Sequence, residues 1–494
     1  MSYSPKKPTL DKDLDKFVGL EIAGFTMARR LLAPAIAFVF LLVAMMVASF
    51  YVSGGYGGGI IIAAAGIGAY LAINIGANDV ANNVGPAVGS QALSIGGALI
   101  IAAIFESAGA LIAGGDVVST VSKGIIDPAS TQNSYVFVNV MLAALISAAL
   151  WVNLATWIGA PVSTTHAVVG GVAGSGIVAA GFAAVNWGTM GSIAASWVIS
   201  PLLGGLIAAA FLAFIKTFII YQDDKIAAAR RWVPLLIAIM TGAFSAYLAL
   251  KGLKKIVKID LQMALLIGVA MFFVGWFVTK PIIRRQSEGL ENRNQSLRKL
   301  FRGPLIFSAA LLSFAHGAND VANAIGPLAA IVHGIEYGEI AAKVQIPLWV
   351  MIIGAFGISF GLLLFGPKLI KMVGEKITKL NPMRAYCVAL SAAITVIIAS
   401  WLGLPVSSTH IAVGGVFGVG FFREWYTKNS KRRIAYVQKS TGTQDYKKEK
   451  SDSGNRLLVR RASFMTIIAA WVITVPATAL LSGGVFLALS FVLK

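Results

Sequence analysis

Two short polar blocks interrupt an otherwise apolar chain, and each occurs twice. The first reads Gly76-Ala-Asn-Asp-Val-Ala-Asn82 and recurs as Gly317-Ala-Asn-Asp-Val-Ala-Asn323, an offset of 241, with Gly85-Pro86 and Gly326-Pro327 following at the same distance. It sets Asn78, Asp79 and Asn82, and again Asn319, Asp320 and Asn323, in apolar surroundings where an unpaired polar group costs several kcal/mol. Asn78 and Asn82 are one helical turn apart, so both can face one ion while Asp79 supplies charge. Oxygen ligands with one acid suit a hard monovalent cation such as Na⁺, centred on Asp79 in one copy and Asp320 in the other. Interhelical hydrogen bonding is the plainer use of the same amides.

The second block reads Pro161-Val-Ser-Thr-Thr-His166 and recurs as Pro405-Val-Ser-Ser-Thr-His410, an offset of 244. Proline, three hydroxyls and a Gly-rich apolar run predict the start of a half-helix inside the membrane. Free N–H groups at such a terminus bind oxyanions, and Ser163, Thr164 and Thr165, with Ser407, Ser408 and Thr409, add donors. Two termini facing each other would cradle a tetrahedral anion, whereas ordinary helix capping is the alternative. His166 and His410 read as residues that hold the turn rather than carry protons. Glu106, 27 residues after Asp79, is a lone acid in an apolar run with no acidic counterpart in the second copy, and is the candidate for coupling. Asp116, Lys123 and Asp127 read as solvated or loop-anchoring.

The elements that must position these groups are membrane helices. Of 494 residues, 57% are hydrophobic and 13% charged, and the mean hydropathy is +0.79. Apolar runs at 31–52, 57–75, 136–158, 187–215, 232–250, 261–279, 348–365, 385–404 and 464–493 can each cross about 30 Å of hydrocarbon. With shorter stretches around the motifs, about ten to thirteen membrane-embedded elements follow. The runs are continuous rather than alternating, which excludes a barrel. The expected fold is therefore an all-α integral membrane protein in the lipid bilayer.

A net charge of +20 is concentrated in the first thirty residues and in 251–258, 280–302 and 423–461, a topology signal and not a nucleic-acid footprint. The first core span starts outside, after a cytoplasmic N-terminus and one crossing, while the second copy starts inside, after the basic segment 280–302. The copies thus read as inverted-topology repeats with re-entrant half-helices. The expected division is a cytoplasmic segment 1–30, an extra helix 31–52, repeat 1 at 57–220, connecting helices and a basic loop at 221–303, and repeat 2 at 304–494 with a basic cytoplasmic insertion 423–461. Segment 251–258 conflicts with this orientation, being one span from 280–302. The single Cys387 permits no internal disulfide. There is no metalloprotease histidine pattern, no Walker loop and no defensible nucleophile pair, so an enzyme is not expected.

The paired motifs resemble the signature of the inorganic phosphate transporter (PiT) family over roughly 57–218 and 305–493. That resemblance implies a phosphate symporter of the inner cell membrane, with phosphate on the hydroxyl motifs, cations on the Asn-Asp motifs, no cofactor, and a homodimer among its expected assemblies. Phe105-Glu106 and Gly124-Ile-Ile-Asp127 are similar to sodium-coupled members, which favours Na⁺ over H⁺. Ala389 departs from some of those members, which carry Glu there. Proton-coupled phosphate transport, sulfate transport and, more remotely, an anion channel are the alternatives.

Overall fold

The computed structural model describes residues 31–52, 56–126, 130, 134–160, 162–252, 259–337, 346–376, 380–441 and 461–492. The expected segment 1–30, Asp127 and residues 442–460 of the 423–461 insertion lie outside them, as do 253–258.

Eleven helices among the described residues are long and apolar enough to cross a bilayer, and one shorter apolar helix, Thr164–Ala180, joins them. All nine apolar runs fall on helices. After α1 (Leu31–Tyr51), five helices form the first half: α2 (Tyr56–Gly89), α3 (Ile95–Ala113), α5 (Ser134–Ile158), α6 (Thr164–Ala180) and α7 (Trp187–Ile215), with the short α4 (Gly115–Ser119) after α3. Helices α8 (Lys225–Lys251), α9 (Leu261–Gln286) and α10 (Asn294–Leu300) connect. The second half repeats the pattern as α11 (Arg302–Glu336), α12 (Leu348–Lys376), α13 (Pro382–Trp401), α14 (Ser408–Asn429) and, after α15 (Lys431–Thr441), α16 (Arg461–Val492). Polar caps start several of them: the side chains of Asn186, Asp224, Asp260 and Asn381 each accept from the backbone N–H three residues on.

The equivalent helices α2 and α11 lie side by side and antiparallel. Gly57 at the start of α2 packs on Ile335 near the end of α11, and Arg302 at the start of α11 donates from Nε to the carbonyl of Ala92, just past α2, at 2.7 Å. Lys251 donates to the carbonyl of Trp401 at the end of α13, whereas the start of α13 packs through Tyr386 on Phe301 beside α11. Lys251 thus lies at the opposite end of the bundle from 280–302, as a crossing α9 requires.

Packing between the halves is reciprocal. Gly76 of α2 meets the carbonyl of Ile358 on α12, and Gly317 of α11 meets the carbonyl of Glu106 on α3. Likewise Gly174 of α6 fits against Ala479 of α16, and Gly418 of α14 against Gly205 of α7. Each second helix therefore packs on the first helix of the other half, and each fifth on the other's half-helix. Ser107 and Ser359, equivalent residues of α3 and α12, meet each other at 2.6 Å between Oγ atoms, where a twofold axis would pass. Without a hydrophobic difference between lipid and side chain, such close backbone approach is what holds membrane helices together. The glycine pairs therefore serve packing, and Gly170-Gly171 and Gly414-Gly415 lie within α6 and α14 rather than in flexible hairpins.

A Cβ at position 317 would run into the Glu106 backbone, so Gly317→Ala is expected to cost about 1–3 kcal/mol by overpacking. Gly484→Ala, where a Cβ meets open space, should leave thermal unfolding in detergent unchanged or slightly raised.

Candidate functional site

Both Asn-Asp motifs lie inside long continuous helices, α2 and α11, and each is followed within the helix by a proline, Pro86 or Pro327. Proline has no N–H to give the carbonyl four residues back, so the backbone oxygens of Asn82 and Asn323 lose their helical donor at the centre of the bundle. Asn78, Asp79, Asn82, Asn319, Asp320 and Asn323 are all buried, at no more than 7% exposure.

The hydroxyl motifs arrive from a hairpin in each half. Helix α5 ends in a tight turn at Gly159 and α13 in the same turn at Gly403, both with positive φ (72° and 68°), a backbone that favours glycine. The chain then enters α6 and α14 at N-caps buried in the protein: Ser163 Oγ accepts from the His166 N–H at 3.1 Å, and Ser407 Oγ from the His410 N–H at 3.3 Å. The turn is thus held by histidine backbone, not by histidine rings. The rings instead pack away from it, His166 against Trp197 and His410 on Trp471.

Asparagines of the first motif hold these hairpins in place. Asn78 donates to Thr156 Oγ1 at 3.1 Å, and its equivalent Asn319 donates to Ser400 Oγ at 3.1 Å and to the carbonyl of Leu404 at 3.2 Å. Asn319 Oδ1 also accepts from the N–H of Val406. Both amide atoms of Asn319 are therefore spent on the turn that precedes the hydroxyls, and its part is to position them.

The two motifs then interlock across the halves. Within each half, Thr164 donates to Asp79 Oδ2 at 3.2 Å and Ser408 to Asp320 Oδ2 at 3.0 Å. Between halves, Asn82 donates to Thr409 Oγ1 at 2.8 Å and Asn323 to Thr165 Oγ1 at 3.1 Å. Thr409 donates in turn to Asp79 Oδ1 at 2.8 Å. Every hydroxyl and every acid singled out in the two motifs thus converges on one centre except the capping serines, which stand one residue behind.

One expectation changes. Glu106 is not lone: its Oε1 accepts from Asn83 Nδ2 at 2.7 Å, and its Oε2 lies 3.2 Å from His316 Nδ1. The other ring nitrogen of His316 lies 2.8 Å from Asp320 Oδ2 and 3.9 Å from Asp79 Oδ2. His316 is fully buried and links all three carboxylates. Sequence reading missed it because its partner is on another helix of the other half. The signal was present in the repeat itself: the residue before Gly317 is His316, whereas the residue before Gly76 is Ile75. Because Gly317 rests on Glu106 as Gly76 rests on Ile358, the twofold mate of the Glu106–His316 pair is the apolar pair Ile358–Ile75.

Three carboxylates and one imidazole share this buried centre, with no Lys or Arg among their described partners. Asp320 Oδ1, Asn323 Oδ1 and Asn78 Oδ1 have no hydrogen-bond partner, and Asp79, His316 and Asp320 lie close enough to hold one ion between them. Unpartnered buried oxygens with an excess of negative charge form a donor set that fits a hard cation. The helix N-termini and hydroxyls beside it fit an oxyanion.

A bundle of membrane-length helices with buried carboxylates, amides and hydroxyls gathered at its centre has the make-up of a membrane transport protein. A model of the phosphate transporter family matches residues 75–482, and the chain belongs to that family. A protein of Helicobacter pylori strain J99 described as a phosphate permease is 47% identical over 508 aligned positions, covering 93% of this chain and 95% of its own. A phosphate permease of Pyrococcus abyssi is 36% identical, covering 85% and 95% respectively. A solved structure titled as the sodium-dependent phosphate transporter superposes with a TM-score of 0.76 at 34% identity, covering 88% of this chain and 99% of its own. The chain is thus a multi-pass phosphate transporter of the cell membrane, and not an enzyme.

Removing the Glu106 side chain strands Asn83 and His316 together. Glu106→Ala is expected to cost about 3–5 kcal/mol of stability, as for any buried pair broken from one side. Glu106→Gln, which keeps an acceptor for Asn83, should cost clearly less, and denaturation in detergent compares the two.

Proposed function

We propose that the chain is a sodium-coupled phosphate symporter that works by alternating access about a fixed central site. The charge balance of that site carries the reading. Asp79, Asp320 and Glu106 face a single imidazole, so even with His316 protonated the centre is two charges short of neutral before an anion arrives. Phosphate can enter only if cations bring the missing charge, and that requirement is coupling. Na⁺ would take oxygens of Asp79 and Asn82 in one half and of Asp320 and Asn323 in the other. Phosphate would then dock on Ser163, Thr164 and Thr165 and on Ser407, Ser408 and Thr409, of which Thr164, Ser408 and Thr409 now donate to Asp79 and Asp320. Those hydroxyls can swing from carboxylate to phosphate once a cation neutralises the acid, which orders the events as cation first and anion second.

The antiparallel, reciprocally packed halves support alternating access, because such a pair can rock about a shared midplane site. The sodium-dependent title of the similar structure also favours Na⁺. A second reading, proton coupling, draws on the asymmetric Glu106–His316 pair, which could carry a proton in place of one cation.

Radiolabelled phosphate uptake into proteoliposomes under equal inward Na⁺ or proton gradients separates the two. Uptake that follows Na⁺ is expected, and uptake that follows protons alone would replace sodium with the second reading. Excess sulfate should not compete if phosphate is the substrate. Asp79→Asn should abolish uptake while its elution on size exclusion stays native. Thr409→Val removes the hydroxyl that Asp79 and Asn82 share, and should raise the half-saturating concentrations of phosphate and Na⁺ together, each by about tenfold for one lost charge-assisted hydrogen bond. A rise for phosphate alone would separate Thr409 from the cation site.

A further inference from the structure

Behind the hydroxyl motifs, where α6, α7, α14 and α16 meet, lies a cavity of about 1030 Å³, large for a small-molecule site. Its outer wall includes Leu202, Leu206, Trp425 and Val472, each more than half exposed on the surface that meets hydrocarbon. Its floor is built differently. The rings of His166 and His410 face each other at 4.5 Å between centroids, His166 lies against Trp197 at 3.8 Å, and His410 stacks on Trp471 at 3.6 Å. Each repeat thus contributes one His and one Trp, so the floor follows the same pseudo-twofold as the central site.

Four polar atoms on this floor are buried without a hydrogen-bond partner: both ring nitrogens of His410, Nε2 of His166 and Nε1 of Trp471. His166 and His410 are only 4% and 1% exposed. Each orphaned group costs about 1–3 kcal/mol, and folded proteins seldom leave several together. What reaches them must pass between lipid-facing apolar side chains, so it has to dissolve in the bilayer. Among the described residues no Lys, Arg, Asp or Glu lines the cavity, so the occupant's polar end must be neutral, since an unpaired ion here would be far too costly. Phosphate itself is excluded on the same ground.

We propose that this cavity binds a neutral single-chain amphiphile of the bilayer, of the fatty-alcohol or monoacylglycerol class. Its hydroxyl head satisfies His410 and Trp471, and its chain lies along Leu202 and Leu206. His166 and His410 stand on the first turns of α6 and α14, and the four walls come from both halves. A bound amphiphile therefore ties the two halves together directly behind the central site. This site does not depend on which ion drives transport.

The test uses the full-length protein in nanodiscs with a diazirine-bearing hexadecanol as photoprobe, mapped by mass spectrometry. Labelling is expected to saturate, to fall on α7, α14 and α16, and to be displaced about tenfold better by hexadecanol than by hexadecane, the difference one hydrogen-bonded head group makes. Leu202→Trp, which fills the cavity from the lipid side, should abolish the saturable labelling. His410→Phe keeps the ring but not its nitrogens, and should make the two competitors equal. Labelling that never saturates, or that hexadecane displaces as well as hexadecanol in the native protein, would overturn the proposal and leave only ordinary contact with lipid chains. If His410→Phe fails to fold, Leu202→Trp and the two competitors decide alone.

Discussion

The structure depends on keeping three carboxylates at the centre of a bundle that is surrounded by hydrocarbon. Asp79, Asp320 and Glu106 are each about 1% exposed, and buried acids of this kind persist only where hydrogen bonds, a counter-charge or a bound ion offsets the loss of water. Much of the local architecture answers that requirement. Thr164, Ser408 and Thr409 donate to the aspartates, Asn83 donates to Glu106, and His316 links all three acids. The half-helix N-termini bring the positive ends of two dipoles to the same place. What protein groups leave unmet is the negative charge that the proposed coupling to cations rests on.

Twofold pseudo-symmetry explains how one sequence unit builds such a centre. The two motifs interlock across the repeats: Asn82 reaches Thr409, and Asn323 reaches Thr165. Neither repeat can complete the site alone, and a rocking of one repeat on the other would act on both shells at once. The departures from symmetry are therefore informative. A Glu106–His316 pair stands where its mate is Ile358–Ile75, so charge is added on one side of an otherwise matched site.

The sequence by itself determined the helical class, nine of the eleven membrane-length helices, the duplication and the polar residues of both motifs, because hydropathy over twenty residues and a repeated polar block in apolar surroundings are local, one-dimensional signals. It also carried, unread, the His316 that breaks the repeat. Tertiary structure alone decided who meets whom. Asn319 and Asn82 have the same chemistry and nearly the same setting in sequence, yet one clamps a hairpin and the other spans the two halves. Glu106 reads as solitary along the chain because its imidazole partner lies 210 positions away on α11, in the other half. The cavity behind the histidines was likewise invisible, since its floor is made of residues from both repeats. Such pairings are set by backbone approach at bare glycines and by the antiparallel placement of α2 and α11, and neither leaves a periodicity that the sequence can display.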